Sequence, residues 1–286
     1  MNAIPLDESL AASLDIVRRL DHDRYLTALL APADRRAALT ALYAFNAEIA
    51  RVRETVSEPM LGQIRLQWWR EAIEAIPRGD VHGHEAIVAL AGTWTADEFP
   101  TAKFTALIDA RERDLDDEPF ANMAALEAYS EATSSNVMAL ASLTLAGEAA
   151  SAAREKIRLA GIAYALTGLL RAIPVHASHG RLYLPLDLLG QYNVDPHQIF
   201  AGEMSDGLRS VMNEVATRAR ALLNDARKTG EPVSRRILPA LLPASFCDRY
   251  LDIVMAPDFN PFQDRTEVPA FKLQLRLMGR KLAGRF

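Results

Sequence analysis

Tyr43-Ala-Phe-Asn-Ala-Glu-Ile-Ala-Arg-Val-Arg-Glu54 is the stretch on which the fold turns. Together with the residues before it, Leu39, Leu42, Tyr43, Phe45 and Ile49 recur at helical spacing. That spacing predicts one long helix to about Glu54, apolar face inward, with Asp34 as its N-cap behind Pro32. Working outward, Ser57 with Glu58-Pro59 starts the next helix, because proline is well tolerated in a first turn. It should run to about Ile76, where Pro77-Arg-Gly79 stops it. Further helices are expected near 9–20, 22–31, 84–95, 99–115, 122–147, 150–172, 205–229 and 235–255. Short helical turns are expected at 182–189 and 196–200. No run alternates apolar and polar residues as a half-buried strand would, so the chain reads as all-α.

The 286 residues are 50% hydrophobic and 24% charged, enough to bury a sizeable core and ordinary for a folded chain. Cys247 is the one cysteine, which excludes an internal disulfide framework and fits a reducing compartment. No stretch approaches the ~20 apolar residues of a spanning helix. Met1-Asn-Ala-Ile-Pro-Leu-Asp-Glu8 is acidic where a signal or transit peptide would be basic, so a cytoplasmic protein is expected. The net charge of −5 gives no case for nucleic-acid binding.

The charge is unevenly placed. Residues 271–286 hold five Lys/Arg and no acid; removing those five from the 32 basic residues leaves 27 against 37 acids, a charge of −10 for residues 1–270. Pro257, Pro261 and Pro269 mark 256–268 as a linker. The domain reading is therefore 1–256 as the helical domain and 257–286 as linker plus a basic amphipathic helix. Phe271, Leu275, Met278 and Leu282 would form its apolar face, suited to an anionic membrane surface. The alternative is a terminal helix packed on the body with snorkelling cations.

A second stretch, Leu166-Thr-Gly-Leu-Leu-Arg-Ala-Ile-Pro-Val-His-Ala-Ser-His-Gly-Arg-Leu-Tyr-Leu-Pro185, joins the first in a resemblance. Both resemble the motif helices of squalene and phytoene synthases. In that family each motif carries two Asp four apart, on one helix face, binding Mg²⁺ on a prenyl diphosphate. Here the first motif reads Asn46, Ala50, Arg51 and Glu54, with Ala50 and Glu54 at the paired positions. In the second, Gly168, Ala172 and His176 stand where the family carries Asn, Asp and Asp, and Pro174 should break the helix. Arg171, Gly180, Arg181, Tyr183, Leu184, Pro185 and Tyr129 match the family pattern. The resemblance implies an isoprenoid-synthase-like, single-domain helical bundle around a central cavity. It also implies no catalytic residue, no metal and no cofactor, since the ligands are largely missing.

Tyr43-Ala-Phe-Asn46 with Glu48, Ser57-Glu58, Gln67-Trp-Trp69, Ala110-Arg-Glu-Arg-Asp-Leu-Asp-Asp117 and Leu170-Arg-Ala-Ile-Pro-Val-His176 look like the non-catalytic branch of that superfamily. That branch includes the mitochondrial assembly factor 6 of respiratory complex I. The resemblance implies partners among complex I subunits or assembly intermediates. Tyr43, Arg51, Tyr129, Arg171 and Arg181 are the candidate anion or ligand pocket, with a lipid or isoprenoid as ligand. Arg gripping an anion directly would replace metal there; a solvated Arg51 or Arg53 paired with Glu48 or Glu54 is the plainer reading. A divergent prenyltransferase and a lipid or isoprenoid carrier are the alternative functions. His176 and His179 have metal-like spacing, but a loop His bonded to backbone is the plainer case. Asp114, Asp116, Asp117 and Glu118 read as a solvated acidic run. Ile64 and Trp68 fit the core stripe of their helix, leaving Trp69 peripheral.

Overall fold

The computed structural model describes residues 4–81, 83–266 and 268–286. It is 75% helical, with no strand among the described residues. The first helices are α1 (Leu6–Leu20), α2 (His22–Ala28), α3 (Ala33–Ala50), α4 (Pro59–Ala75), α5 (Glu85–Thr93) and α6 (Thr101–Glu112). Next come α7 (Met123–Ser130), α8 (Asn136–Ala146), α9 (Arg154–Arg171), α10 (Ile173–Ser178), α11 (Leu186–Gln191) and α12 (Pro196–Phe200). The last are α13 (Asp206–Lys228), α14 (Leu238–Leu241), α15 (Cys247–Val254) and α16 (Ala270–Ala283). Two compact units result. The first holds the chain up to Asp116 with Asn136–Ala152 and Ser234–Ala240; the second holds Asp117–Ser135, Ala153–Val233 and Leu241–Phe286.

In the first unit α3 is buried almost all round, from Ala38 to Ala47 and at Ile49, as an apolar helix inside a core must be. α1, α5 and α8 pack on it. Phe45 meets Trp69 edge-on at 5.5 Å and Phe104 at 5.3 Å, favoured geometries for aromatic pairs.

Asp34 is not the N-cap of α3. Pro32 holds that position without a side-chain cap, and Asp34 pairs instead with Arg236 at 2.9 Å. The helix also stops short of Glu54. Arg51 turns to φ −95°, ψ 2°, and Val52–Thr55 continues as a 3₁₀ turn closed by the Thr55 hydroxyl on the Val52 carbonyl at 2.9 Å. The β-branched Val52, Thr55 and Val56 disfavour further α-helix there.

The tryptophan expectation is reversed. Trp69 is 5% exposed, whereas Trp68 is 37% and Ile64 60% exposed. The inward stripe is Gly62, Leu66, Trp69 and Ile73, each three or four residues from the next. Gly62 fits that stripe: a Cβ there would overlap the Leu115 side chain of the 3₁₀ turn Arg113–Leu115. The missing side chain lets α4 approach closely, and the close side becomes the core side.

In the second unit α9 runs against α13, and α15 packs on both. A π-helical segment, Glu131–Ser135, follows α7 and packs on α9. Gly161 makes room for it, since a Cβ would overlap the Ser135 Cα, and Ser135 Oγ donates to the Arg158 carbonyl at 2.7 Å. The helix expected over 235–255 is broken into α14, a 3₁₀ segment Leu242–Phe246 and α15. Pro239 and Pro243 lack the N–H groups that a continuous helix needs. The stretch expected as linker (Glu267 lies outside the described residues) is tied down at Phe259. That side chain is buried, and its carbonyl accepts from Arg209 at 3.0 Å. α16 packs on Leu242–Phe246 and buries Leu273 and Leu277, a pair four residues apart.

Candidate functional site

Tyr43 and the residues of the first motif belong to the first unit. Tyr43 is buried beneath the Arg24 guanidinium, which lies 5.7 Å from its ring centroid. Asp21 fixes Arg24 twice, accepting from its backbone N at 3.1 Å and its guanidinium at 2.6 Å. Burial drives the phenol pKa well above its ordinary value; the Arg24 charge opposes the shift and Asp21 adds to it. That burial favours the neutral phenol of Tyr43. Asn46 is buried, and its side-chain oxygen has no hydrogen-bond partner among the described residues. Arg51 caps the end of α3, half-exposed, 3.8 Å from Glu48. Glu54 is exposed on the 3₁₀ turn, so it does not share an α-helical face with Ala50.

The other motif belongs to the second unit. α9 ends at Arg171, Ala172 turns to φ −88°, ψ 0°, and α10 begins with Pro174 in its first turn, as the proline foretold. His176 therefore sits on a separate short helix. Its ring lies 4.4 Å from that of Tyr183, which in turn is 6.1 Å from Tyr129 and 6.0 Å from Phe120; Phe120 and Tyr129 are 5.1 Å apart. The chain is brought to this cluster by backbone bonds from Leu186 N to Phe120 O at 2.8 Å and from Asp187 N to Ala121 O at 3.2 Å. His176, Arg181 and Tyr183 also line a small cavity with Ile173 and Ile199, its volume about 10 Å³, room for about one water.

The Arg171 guanidinium is stacked 3.6 Å from the centroid of buried Tyr250, with its Nε 3.5 Å from Thr266 Oγ1. Gly168 faces open space: among the described residues, its own helix backbone and chain neighbours aside, nothing lies within 4 Å of where a Cβ would stand. His179 is exposed, its Nδ1 2.8 Å from the Val175 carbonyl, as a loop histidine bonded to backbone should be. Of the acidic run, Asp114 is buried against Arg111 at 3.2 Å and Asp116 pairs with Arg113 at 3.2 Å. Asp114 thus departs from the solvated reading. Among the described residues, no three His, Cys, Asp or Glu side chains are grouped as metal ligands.

Phe120 and Tyr250 escaped the reading of the sequence. Each meets its partner from far along the chain, Phe120 with Tyr183 and Tyr250 with Arg171, and no local pattern reports such a meeting.

Residues 17–272 match the family model described as squalene/phytoene synthase. The chain is 29% identical over 264 residues to the mouse NADH dehydrogenase (ubiquinone) complex I, assembly factor 6, spanning 92% of this chain and 79% of that protein. It is also 29% identical over 264 residues to the tomato chloroplastic phytoene synthase 2, spanning 88% and 83% of the two. A solved dehydrosqualene synthase in complex with ligand superposes with a TM-score of 0.81 at 20% identity, over 97% of each chain, which speaks for the fold alone.

Proposed function

Because the chain belongs to the squalene/phytoene synthase family, with assembly factors among its relatives, we propose that it is a non-catalytic assembly factor for respiratory complex I. Percent identity does not separate this from enzyme activity, because assembly factor 6 and a phytoene synthase are each 29% identical to this chain. The observation that carries the reading is the donor set at the motif positions. Ala50, Gly168 and Ala172 bear no oxygen ligand, and the acid at 54 stands on a 3₁₀ turn. Mg²⁺ demands near-octahedral oxygen coordination, through carboxylates plus substrate phosphates. These residues do not fit that ion. The assembly role would be performed by binding, on subunits at the inner face of the cytoplasmic membrane. Among the described residues no helix is long and apolar enough to cross a membrane, which is consistent with peripheral attachment.

Deleting the gene should lower the amount of assembled NADH dehydrogenase on a native gel, and a plasmid copy should restore it. Unchanged complex levels would count against the proposal. The similarity to phytoene synthase supports one rival, a divergent prenyltransferase. Purified protein incubated with farnesyl or geranylgeranyl diphosphate and Mg²⁺ is expected to yield no condensed product, and product formation would establish that rival.

A further inference from the structure

We propose that α16 is an interfacial helix, which lays an outward apolar stripe into an anionic lipid bilayer while its inner face stays docked on the second unit. This rests on the membrane location in the reading above and supplies the surface that would achieve it.

The stripe is Phe271, Leu275, Met278 and Leu282, which are 59%, 66%, 57% and 78% exposed. With 3.6 residues per turn these four fall within roughly 60° of arc, and the stripe runs about 16 Å along the helix. The buried Leu273 and Leu277 lie on the opposite side. Lys272 and Lys281, both exposed, stand roughly 90° to either side of the stripe by the same geometry. Residues 271–286 contain no acid, and Arg285 adds an exposed cation beyond the helix end. An apolar face flanked by cations matches the chemistry of anionic headgroups above acyl chains. A soluble protein partner with an acidic rim is the other class of occupant. Cations on both sides of the stripe, with no acid in 271–286 on a body otherwise charged −10, favour the extended anionic surface.

The inner face is held firmly. Arg276 and Arg280 on α16 both donate to Asp248 Oδ2, the second at 3.2 Å, and the same carboxylate takes Arg227 of α13 bidentately at 2.8 Å twice. The helix is thus ordered before it meets lipid, so binding need not bear the cost of folding it.

The test is flotation of the full chain with vesicles of phosphatidylcholine alone or mixed with phosphatidylglycerol. Expected is flotation with the anionic vesicles, weakening as salt is raised, and little with the neutral ones. Leu275→Asp combined with Leu282→Asp should reduce the bound fraction roughly tenfold or more. Lys272→Glu with Lys281→Glu should reduce binding to anionic vesicles selectively. All four positions point outward, so the far-ultraviolet spectrum and melting curve should match the parent. No flotation of the parent, or undiminished flotation of the leucine variant, overturns the proposal. Leucine variants that impair complex I assembly while the parent ignores all vesicles would assign the stripe to a protein. That result also overturns the proposal, and it leaves the assembly role standing.

Discussion

Replacing Asp248 with Asn should free α16 without unfolding the rest of the chain. The carboxylate accepts bonds from Arg227, Arg276 and Arg280. Its side chain is 21% exposed and theirs 24% to 32%, an environment between surface and interior. Removing one partner of a fully buried pair costs about 3–5 kcal/mol, and exposed pairs are worth about 0–1 kcal/mol each. Solvent screening at this intermediate site brings the expected loss to about 2 kcal/mol. An amide group would also turn an N–H donor toward guanidinium groups that can only donate. If α16 opens locally, about 2 kcal/mol speeds amide exchange over 270–283 by roughly 30-fold. Hydrogen exchange read by mass spectrometry measures this, with α9 and α13 as internal references. Asp252→Asn is the control, because Asp252 pairs with Arg220 at 2.8 Å on the exposed surface. Unchanged exchange in α16, or equal acceleration everywhere, would refute the idea of a local latch. The wild type should show the same release in acid. Burial works to raise the Asp248 pKa, but the Arg227 bonds and charge, with Arg276 and Arg280, outweigh it and hold the carboxyl below 3.8. The stabilisation is therefore present above that value and is lost as pH falls through the lower folded pKa.

Two glycines of α9 should respond oppositely to the same change. Gly161→Ala pushes a methyl against the Ser135 backbone; overpacking of about 1–3 kcal/mol outweighs a helix-propensity gain of about 1 kcal/mol, lowering the melting temperature by a few degrees. Gly168→Ala meets nothing and should stabilise by up to about 1 kcal/mol; calorimetry of both settles the contrast. His84 caps α5 by accepting from Ala86 N at 3.2 Å and lies 4.6 Å from the Trp69 ring. Burial lowers its pKa below 6.5, against the opposing charges of Glu85 and Glu48, so the unfolded chain takes up the proton first. Stability should fall as pH drops through about 6.5, and the penalty stops growing below the folded value. His84→Asn retains a capping acceptor and should flatten that slope in melts from pH 7 to 5; an unchanged slope would exclude His84 as its source.

Periodicity carried most of the helices because each buries a stripe repeated in its own sequence. Pro174 split the second motif as expected, because a missing N–H acts on the turn containing it. Failures came where a distant residue decided. Ile64 with Trp68 and Leu66 with Trp69 are equally good stripes in isolation, and the close approach of Leu115, far along the chain, lies on the second at Gly62. The end of α3 was misjudged because Arg51, Val52 and Arg53 do not announce a stop as Gly or Pro would. In α16 the stripe read from the sequence is the outward one, while Leu273 and Leu277, which lie outside it, are the buried pair. At the candidate site, the identities at 50, 168 and 172 could be read directly. The aromatic surroundings of His176 could not, since Phe120 and Tyr183 are joined only by folding.

Cys247, the sole thiol of the sequence, is fully buried beside Asp248, its Sγ 3.9 Å from the Ala163 carbonyl. The chain thereby contains a single-site clock. A thiol reagent reaches that sulfur when the packing around α15 opens, so the alkylation rate reports how often this part of the second unit parts. Comparing that rate with the exchange of α16 would tell whether the terminal helix peels off alone or takes its neighbour with it.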